Sequence, residues 1–262
     1  MHTFRTRFAS DILTEFLPPS RISKKTRVII FADGMPSVPN KKTLLEFFSK
    51  KGFWVFAPRY RGSWESGGKL LAQSPHKDIL DVISGITTGF DDLWNTSLSP
   101  HFKKKSFQLI PNEIILIGSS FGGPAMLLAS LDERVSKTVV ISPVIDWRKP
   151  GPDESLNFLI RFTEQAFGQG YRVAKNGWKK IKSGQFYNPI NHANKIDGTK
   201  LLILHAKDDR ICRYSESKKF ATMTKARLVS IPTGGHLAAS VLLKPRYYKA
   251  FRHFIDQKNY EK

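Results

Sequence analysis

The sequence predicts an α/β fold, a mostly parallel sheet with helices on both faces. Short apolar runs bounded by turn residues alternate with helical stretches. The runs are nearly continuous in apolar character rather than alternating, as strands covered on both sides are. A length of 262 residues suits one large α/β domain or two small ones, and leaves ample material for a core.

Taken in order, Thr3 to Phe8 and Asp11 to Leu17 read as a leading β-hairpin. Arg27 to Ala32 is a buried strand stopped by Asp33-Gly34. A helix over Thr43 to Lys51 follows, with Leu44, Leu45, Phe47 and Phe48 on its apolar side, and then the strand Trp54 to Ala57, closed by Pro58. Ser74-Pro75 predicts the N-cap and first turn of a helix whose stripe is Ile79, Leu80, Val82, Ile83 and Ile86. Glu113 to Gly118 is a strand leading into an alanine- and leucine-rich helix that runs to about Leu131. Thr138 to Ile141, Leu201 to His205 and Arg227 to Ile231 complete the strands, and Pro245 to Gln257 forms a closing helix.

One stretch breaks the rhythm. Trp147 to Asp197 has no strong strand but many aromatics, among them Phe158, Phe162, Phe167, Tyr171 and Trp178. The predicted organisation is a core over residues 1–146 and 198–262, with residues 147–197 a helical cap inserted between two core strands.

Forty-two Lys and Arg against 22 Asp and Glu give a net charge of +20. Such a field attracts anions in general. The basic residues are scattered, however, in pairs such as Lys24-Lys25 and Lys179-Lys180 and one triplet, Lys103-Lys104-Lys105. They form no long arm and no clean helical stripe, so a solvated basic surface is expected rather than a specific nucleic-acid site. The lone cysteine, Cys212, excludes an intramolecular disulfide framework and a cysteine zinc cage, and reads as a packing residue. No histidine pair with a carboxylate has ligand spacing, so neither metal nor cofactor is expected. No run reaches the ~18 apolar residues of a membrane span. Met1 to Arg7 carries positive charge without an apolar stretch behind it, which points to a soluble, cytoplasmic protein.

The chemistry lies in Gly118-Ser119-Ser120-Phe121-Gly122-Gly123, between a strand and a helix. A Gly-x-Ser-x-Gly turn there forces its serine into a strained conformation at the carboxyl edge of the sheet. Side chains two before and two after that serine would meet neighbouring backbone, hence Gly118 and Gly122. Ser119 lacks this register, since Ile117 and Phe121 stand where its glycines would be. A phosphate-binding turn would need a Gly-Lys-Ser/Thr ending or Gly-x-Gly-x-x-Gly, and has neither. A serine needs a base to take its proton and an acid to orient that base. In this architecture the order is serine, acid, histidine, each after a later strand. Asp208-Asp209 follows the strand ending at His205, and His236 follows the strand ending at Ile231.

These segments resemble the α/β-hydrolase superfamily, closest to dienelactone-hydrolase and prolyl-oligopeptidase-type serine hydrolases. Phe31-Ala32-Asp33-Gly34, Ala57 to Ser63, the turn at Ser120 and His205 to Asp209 carry the likeness over nearly the whole chain. The family often writes the last as His-Gly-x-x-Asp, and the carry-over makes Asp209 the acid of a Ser120–His236–Asp209 triad. Asp208 is the local competitor and Asp146, after the preceding strand, a more distant one. His205 itself reads as a strand-end residue with a satisfied side chain. The resemblance places the oxyanion hole at the backbone N–H groups of Phe121 and Met35. Where relatives show His-Gly, this chain has Asp33-Gly34, a carboxylate that must point away or be paired. Arg61 to Gly68 resembles the family's Arg-Gly-x-Gly stretch and reads as a structural loop.

The expected function is hydrolysis of small to medium acyl esters through an acyl-enzyme. The partner is then a small-molecule ester, or a short peptide or amide if the enzyme is a peptidase or amidase instead, and the oligomeric state is left open. The span has no room for the large propeller of the oligopeptidases, and the aromatic insertion suggests an apolar acyl pocket. A non-catalytic binder of an anionic partner is the remaining reading.

Overall fold

The computed structural model describes residues 3–21, 24–93 and 106–257. Its centre is an eight-stranded sheet in the order β1-β2-β4-β3-β7-β8-β9-β10. The six strands β4 (Trp54–Pro58), β3 (Arg27–Ala32), β7 (Glu113–Ser119), β8 (Lys137–Ile141), β9 (Leu201–Ala206) and β10 (Arg227–Ile231) run parallel. The leading hairpin, β1 (Phe4–Phe8) and β2 (Ile12–Leu17), adds antiparallel to the β4 edge with Phe16 opposite Phe56. This is the α/β-hydrolase fold.

Alternation within each strand builds two cores. Val28, Ile30, Leu116 and Val140 face one cluster, where α2 (His76–Thr88), α3 (Gly122–Ala129) and α6 (Tyr214–Thr224) contribute Ile83, Met126 and Phe220. Ile29, Phe31, Ile117 and Ile141 face the other, under Leu45 and Phe48 of α1 (Lys42–Lys50) and Phe251 of α7 (Pro245–Asp256). Both faces of the central strands are thus dry, which is why the runs read as continuously apolar.

The register positions the chemistry. Ala32 pairs with Gly118, Gly118 with Val140, Ile141 with Leu204 and Ala206 with Ile231. Four strands therefore end at one edge of the sheet, and the loops holding residues 33–36, 120, 209 and 236 all leave from it.

Three local details depart from the sequence expectation. Ser74 does not cap α2 through its side chain: Pro75 occupies the cap position in helical conformation, and Ser74 Oγ meets His76 Nδ1 at 2.7 Å. The helical Pro75 moves the start of the helix back towards Ser74, whose carbonyl accepts the Lys77 N–H. The helix after Ser120 closes at Ala129, with Ser130 Oγ donating to Leu127 O at 2.7 Å. A short ribbon, β5 (Phe90–Asp91) with β6 (Ser106–Phe107), was not foreseen; two-residue strands show no periodicity. The Lys103-Lys104-Lys105 triplet lies outside the described residues.

Between β8 and β9, residues 147–197 hold α4 (Leu156–Phe167), α5 (Gly177–Lys182) and two 3-10 turns at Gly168–Gly170 and Pro189–His192. Backbone bonds stitch this segment to the loop after β4: Trp64 N to Gly170 O at 2.8 Å, Arg172 N to Gly62 O at 2.7 Å and Leu70 N to Arg172 O at 2.9 Å. Trp147, Tyr171 and Tyr187 enter the core beneath the sheet edge. No helix among the described residues is long and apolar enough to cross a membrane.

Candidate active site

Ser120 sits between β7 and α3 with a φ of +51°, in the left-handed region that a serine adopts only at a cost of about 1–3 kcal/mol. The turn is pinned against relaxing. Ser120 N donates to Ile141 O at 3.1 Å, and its carbonyl accepts from Gly123 N at 3.0 Å and Val144 N at 3.2 Å. A Cβ on Gly118 would stand 2.8 Å from Met126 Cγ, and one on Gly122 would strike Ala32 O. The steric reason for the two glycines is therefore met by named atoms. Ser119 is buried at the end of β7, opposite Ile141.

Asp209 and His236 meet at the same edge. The Asp209 carboxylate is fully buried and accepts four hydrogen bonds: His236 Nδ1 at 2.9 Å and His205 Nε2 at 3.1 Å on Oδ2, and the N–H groups of Ile211 at 2.9 Å and Cys212 at 3.0 Å on Oδ1. Burial alone would raise its pKa, but the bonds from His205 and His236, the charge of His236 and the Cys212 N–H hold it far below the usual carboxylate range. His236 offers Nδ1 to this acceptor, which leaves Nε2 as the ring nitrogen able to accept a proton. Ser120 and His236 line one cleft, with no hydrogen bond between them in this state.

His205 does more than the sequence suggested. Its Nε2 lies 3.1 Å from Asp209 Oδ2 and 3.0 Å from Cys212 O, two acceptors, so this nitrogen carries the proton. Its Nδ1 then accepts from Ser217 Oγ at 2.8 Å. The satisfied side chain anticipated there is satisfied by the carboxylate that orients His236. No sequence signal showed this link, because it depends on the loop folding back over the strand end.

The competing carboxylates are engaged elsewhere. Asp208 accepts from Gly234 N at 3.0 Å and Gly235 N at 2.9 Å, and those amides hold its pKa down. It braces the loop that presents His236. Asp146 is bound by Arg148 Nε at 2.8 Å and Asn188 Nδ2 at 3.1 Å. Cys212 is buried, as a packing residue is, and burial pushes its thiol pKa up.

Among the described residues, the backbone N–H groups of Met35 and Phe121 meet no hydrogen-bond acceptor. Both residues line a largely apolar chamber that also includes Ser120, Trp147, Leu156 and Leu159. Asp33, beside this loop, forms an ion pair with Lys41; burial raises its pKa and Lys41 opposes the rise. Tyr60 Oη donates to Asp33 O at 3.0 Å, and Tyr187 Oη donates to Phe121 O at 2.5 Å, fixing both loops. An outer cleft beginning at the same serine is lined by Pro36, Phe162, His236 and Leu237. Among the described residues, no group of three His, Cys, Asp or Glu side chains is arranged to hold a metal.

The sequence profile of the prolyl oligopeptidase family matches residues 39–260, a span running from α1 past His236. The chain belongs to the prolyl oligopeptidase family. Among solved structures, Pyrococcus horikoshii acylaminoacyl peptidase is similar over 100% of this chain at 19% identity and a TM-score of 0.65. This family member spans only 42% of that protein's length. An esterase of Pyrococcus furiosus matches 97% of this chain and 90% of its own at 16% identity, with a TM-score of 0.66. Est1E of Butyrivibrio proteoclasticus matches 98% of this chain and 100% of its own at 16% identity, with a TM-score of 0.60. At such identities the likeness establishes the fold. No curated protein matches the sequence.

Proposed function

We propose that this protein is a serine hydrolase that cleaves small to medium carboxylic esters through an acyl-enzyme. The observation that carries the proposal is the pairing, at one sheet edge, of a serine held at a φ of +51° with a His236 bound at 2.9 Å to the buried Asp209 carboxylate. Ser120 Oγ attacks the ester carbonyl while His236 Nε2 takes its proton. Asp209 keeps the imidazole in the tautomer that can accept, and stabilises the imidazolium that forms. The free N–H groups of Met35 and Phe121 receive the developing oxyanion, with Asp33 neutralised by Lys41. His236 then returns the proton to the departing alcohol, and a water repeats the sequence on the acyl-enzyme. We take residues 147–197 as a cap whose Trp147, Leu156 and Leu159 help to wall the acyl chamber.

A peptidase or amidase is the second reading, favoured by the family and by the likeness to an acylaminoacyl peptidase across the whole of this chain. We also propose the cytoplasm as its compartment, which suits a single buried thiol. Labelling with a fluorophosphonate, followed by a matched ester and anilide panel, tests the proposal. Covalent labelling of Ser120 with faster ester turnover is expected. A folded protein that takes no label would instead be a hydrolase-fold binder.

His205 adds a smaller expectation. A hydrogen bond to a charged group contributes about 1.5–3 kcal/mol. His205→Phe, which removes the donor to Asp209, is expected to lower kcat by about tenfold or more with little change in KM. His205→Gln, which keeps an N–H donor, should recover part of the loss. Equal kcat in the two variants would remove His205 from any role in positioning Asp209.

A further inference from the structure

Glu154, between the end of β8 and the start of α4, occupies an unusual place. Both the apolar chamber and the outer cleft are bordered by it, as they are by Met35, Ser120 and Ile211. It therefore stands at the seam where the two spaces meet the nucleophile. Its side chain is half-buried, and among the described residues its carboxylate makes neither a hydrogen bond nor an ion pair. Neighbouring carboxylates are all spent: Asp153 on Arg210 at 2.7 Å, Asp146 on Arg148 at 2.8 Å, Glu216 on Lys149 at 3.5 Å, and Asp33 on Lys41. Burial raises the Glu154 pKa, the charge of His236 opposes that rise, and Asp209 adds to it, so this carboxylate lies within electrostatic reach of the Asp209–His236 pair.

A half-buried carboxylate without a partner is unexpected in a chain with 42 Lys and Arg against 22 Asp and Glu. The cations nearest in the lining do not answer it. Lys149 and Lys41 are held by their own carboxylates, and exposed Arg213 turns its Nε onto Pro150 O at 2.7 Å. A positive charge brought by the substrate would supply the partner that the protein does not. Glu154 shares the lining of both spaces with Ser120, so a charge that meets it would sit on the nucleophile's side of the substrate, while the apolar wall of Phe121, Trp147, Leu156 and Leu159 suits an aliphatic side chain.

Resting on Ser120 as the nucleophile, we propose that Glu154 binds the α-ammonium group of the substrate's acyl half, making this a hydrolase of amino-acid esters or amides whose amino group is free. The ammonium takes no part in the bond changes. The ester C–O bond breaks and the Ser120 acyl bond forms; the alcohol leaves with the proton carried by His236, and water then releases the free amino acid.

The test compares L-leucine methyl ester with N-acetyl-L-leucine methyl ester. Wild type is expected to favour the free amine by about tenfold or more in kcat/KM. Glu154→Gln should remove most of that preference, chiefly through KM, since it loses the charge while keeping the shape. Leucinamide should also inhibit wild type at lower concentration than N-acetylleucinamide, a comparison that needs no variant. A wild-type preference for the acetylated ester, a ratio unchanged in Glu154→Gln, or faster cleavage of Nα-acetyl-L-lysine methyl ester than of leucine methyl ester would each overturn the assignment. The parent proposal fails separately: no fluorophosphonate label on Ser120 removes both, whereas a labelled Ser120 with a flat ratio removes this one alone.

Discussion

Ser120→Ala is expected to lower ester hydrolysis by roughly 10⁴-fold or more while leaving the fold in place. The serine side chain is only partly buried on a turn, so removing its hydroxyl opens no cavity in either core. Alanine also inherits the strained φ of +51° unchanged, and the backbone bonds to Ile141, Gly123 and Val144 do not involve the side chain. Ser120→Gly separates the two roles of this position. It should be as inactive as alanine, yet melt at or above the wild-type temperature, because glycine accepts positive φ without penalty. Thermal unfolding and ester turnover measured on the same preparations check both statements. Substantial turnover in Ser120→Ala, with loss in Ser119→Ala, would move the nucleophile to the neighbouring residue.

What could be read from the sequence, and what could not, follows from how local each constraint is. β3 and β7 were legible because residues buried on both faces leave a continuous apolar run, and the run length gives the strand. The turn at Ser120 was legible because Gly118 and Gly122 answer clashes with atoms only a few residues or one strand away, Gly122 O and Ala32 O among them. Placing Asp209 and His236 at one edge needed only the parallel order of β9 and β10. The bond from His205 to Asp209 was beyond this reach, since it forms only when residues 206–212 fold back and bring the Cys212 carbonyl onto the same ring nitrogen. Glu154 was invisible for the converse reason. Its distinguishing property is a partner it lacks, and an unpaired carboxylate looks in sequence like any other glutamate. Lys41 belongs with these: only the folded loop shows that it neutralises Asp33 beside the N–H groups proposed to bind the oxyanion.

Asp209→Asn is expected to lower kcat by about 10⁴-fold, and the hydrogen bonds of the site explain why an amide cannot substitute. Every contact on the carboxylate is a donor: His236 and His205 on Oδ2, and the Ile211 and Cys212 amides on Oδ1. If asparagine turns its NH₂ towards His236, the ring must accept at Nδ1 and carry its proton on Nε2, where it can no longer take one from Ser120. If the NH₂ turns the other way, it faces the buried Cys212 N–H and the part-buried Ile211 N–H, and leaving a buried donor unsatisfied costs about 1–3 kcal/mol. The variant should therefore be both inactive and less stable. The pH dependence has a defined sign. The folded pKa of Asp209 is depressed below the ordinary 3.8, so its stabilising contribution is fully present above that value and fades only as pH falls through the folded pKa, in strong acid. Wild type should thus keep Asp209 ionised across the whole neutral range. Asp208→Asn is the control next door. It loosens the Gly234 and Gly235 amides that hold the His236 loop, for a loss of about tenfold or less. Asp146→Asn disturbs the Arg148 and Asn188 contacts and should show in melting temperature before kcat. Steady-state kinetics on the three variants, each checked for folding, decide the acid: a collapse in Asp208→Asn or Asp146→Asn, with Asp209→Asn near wild type, would transfer the role away from Asp209.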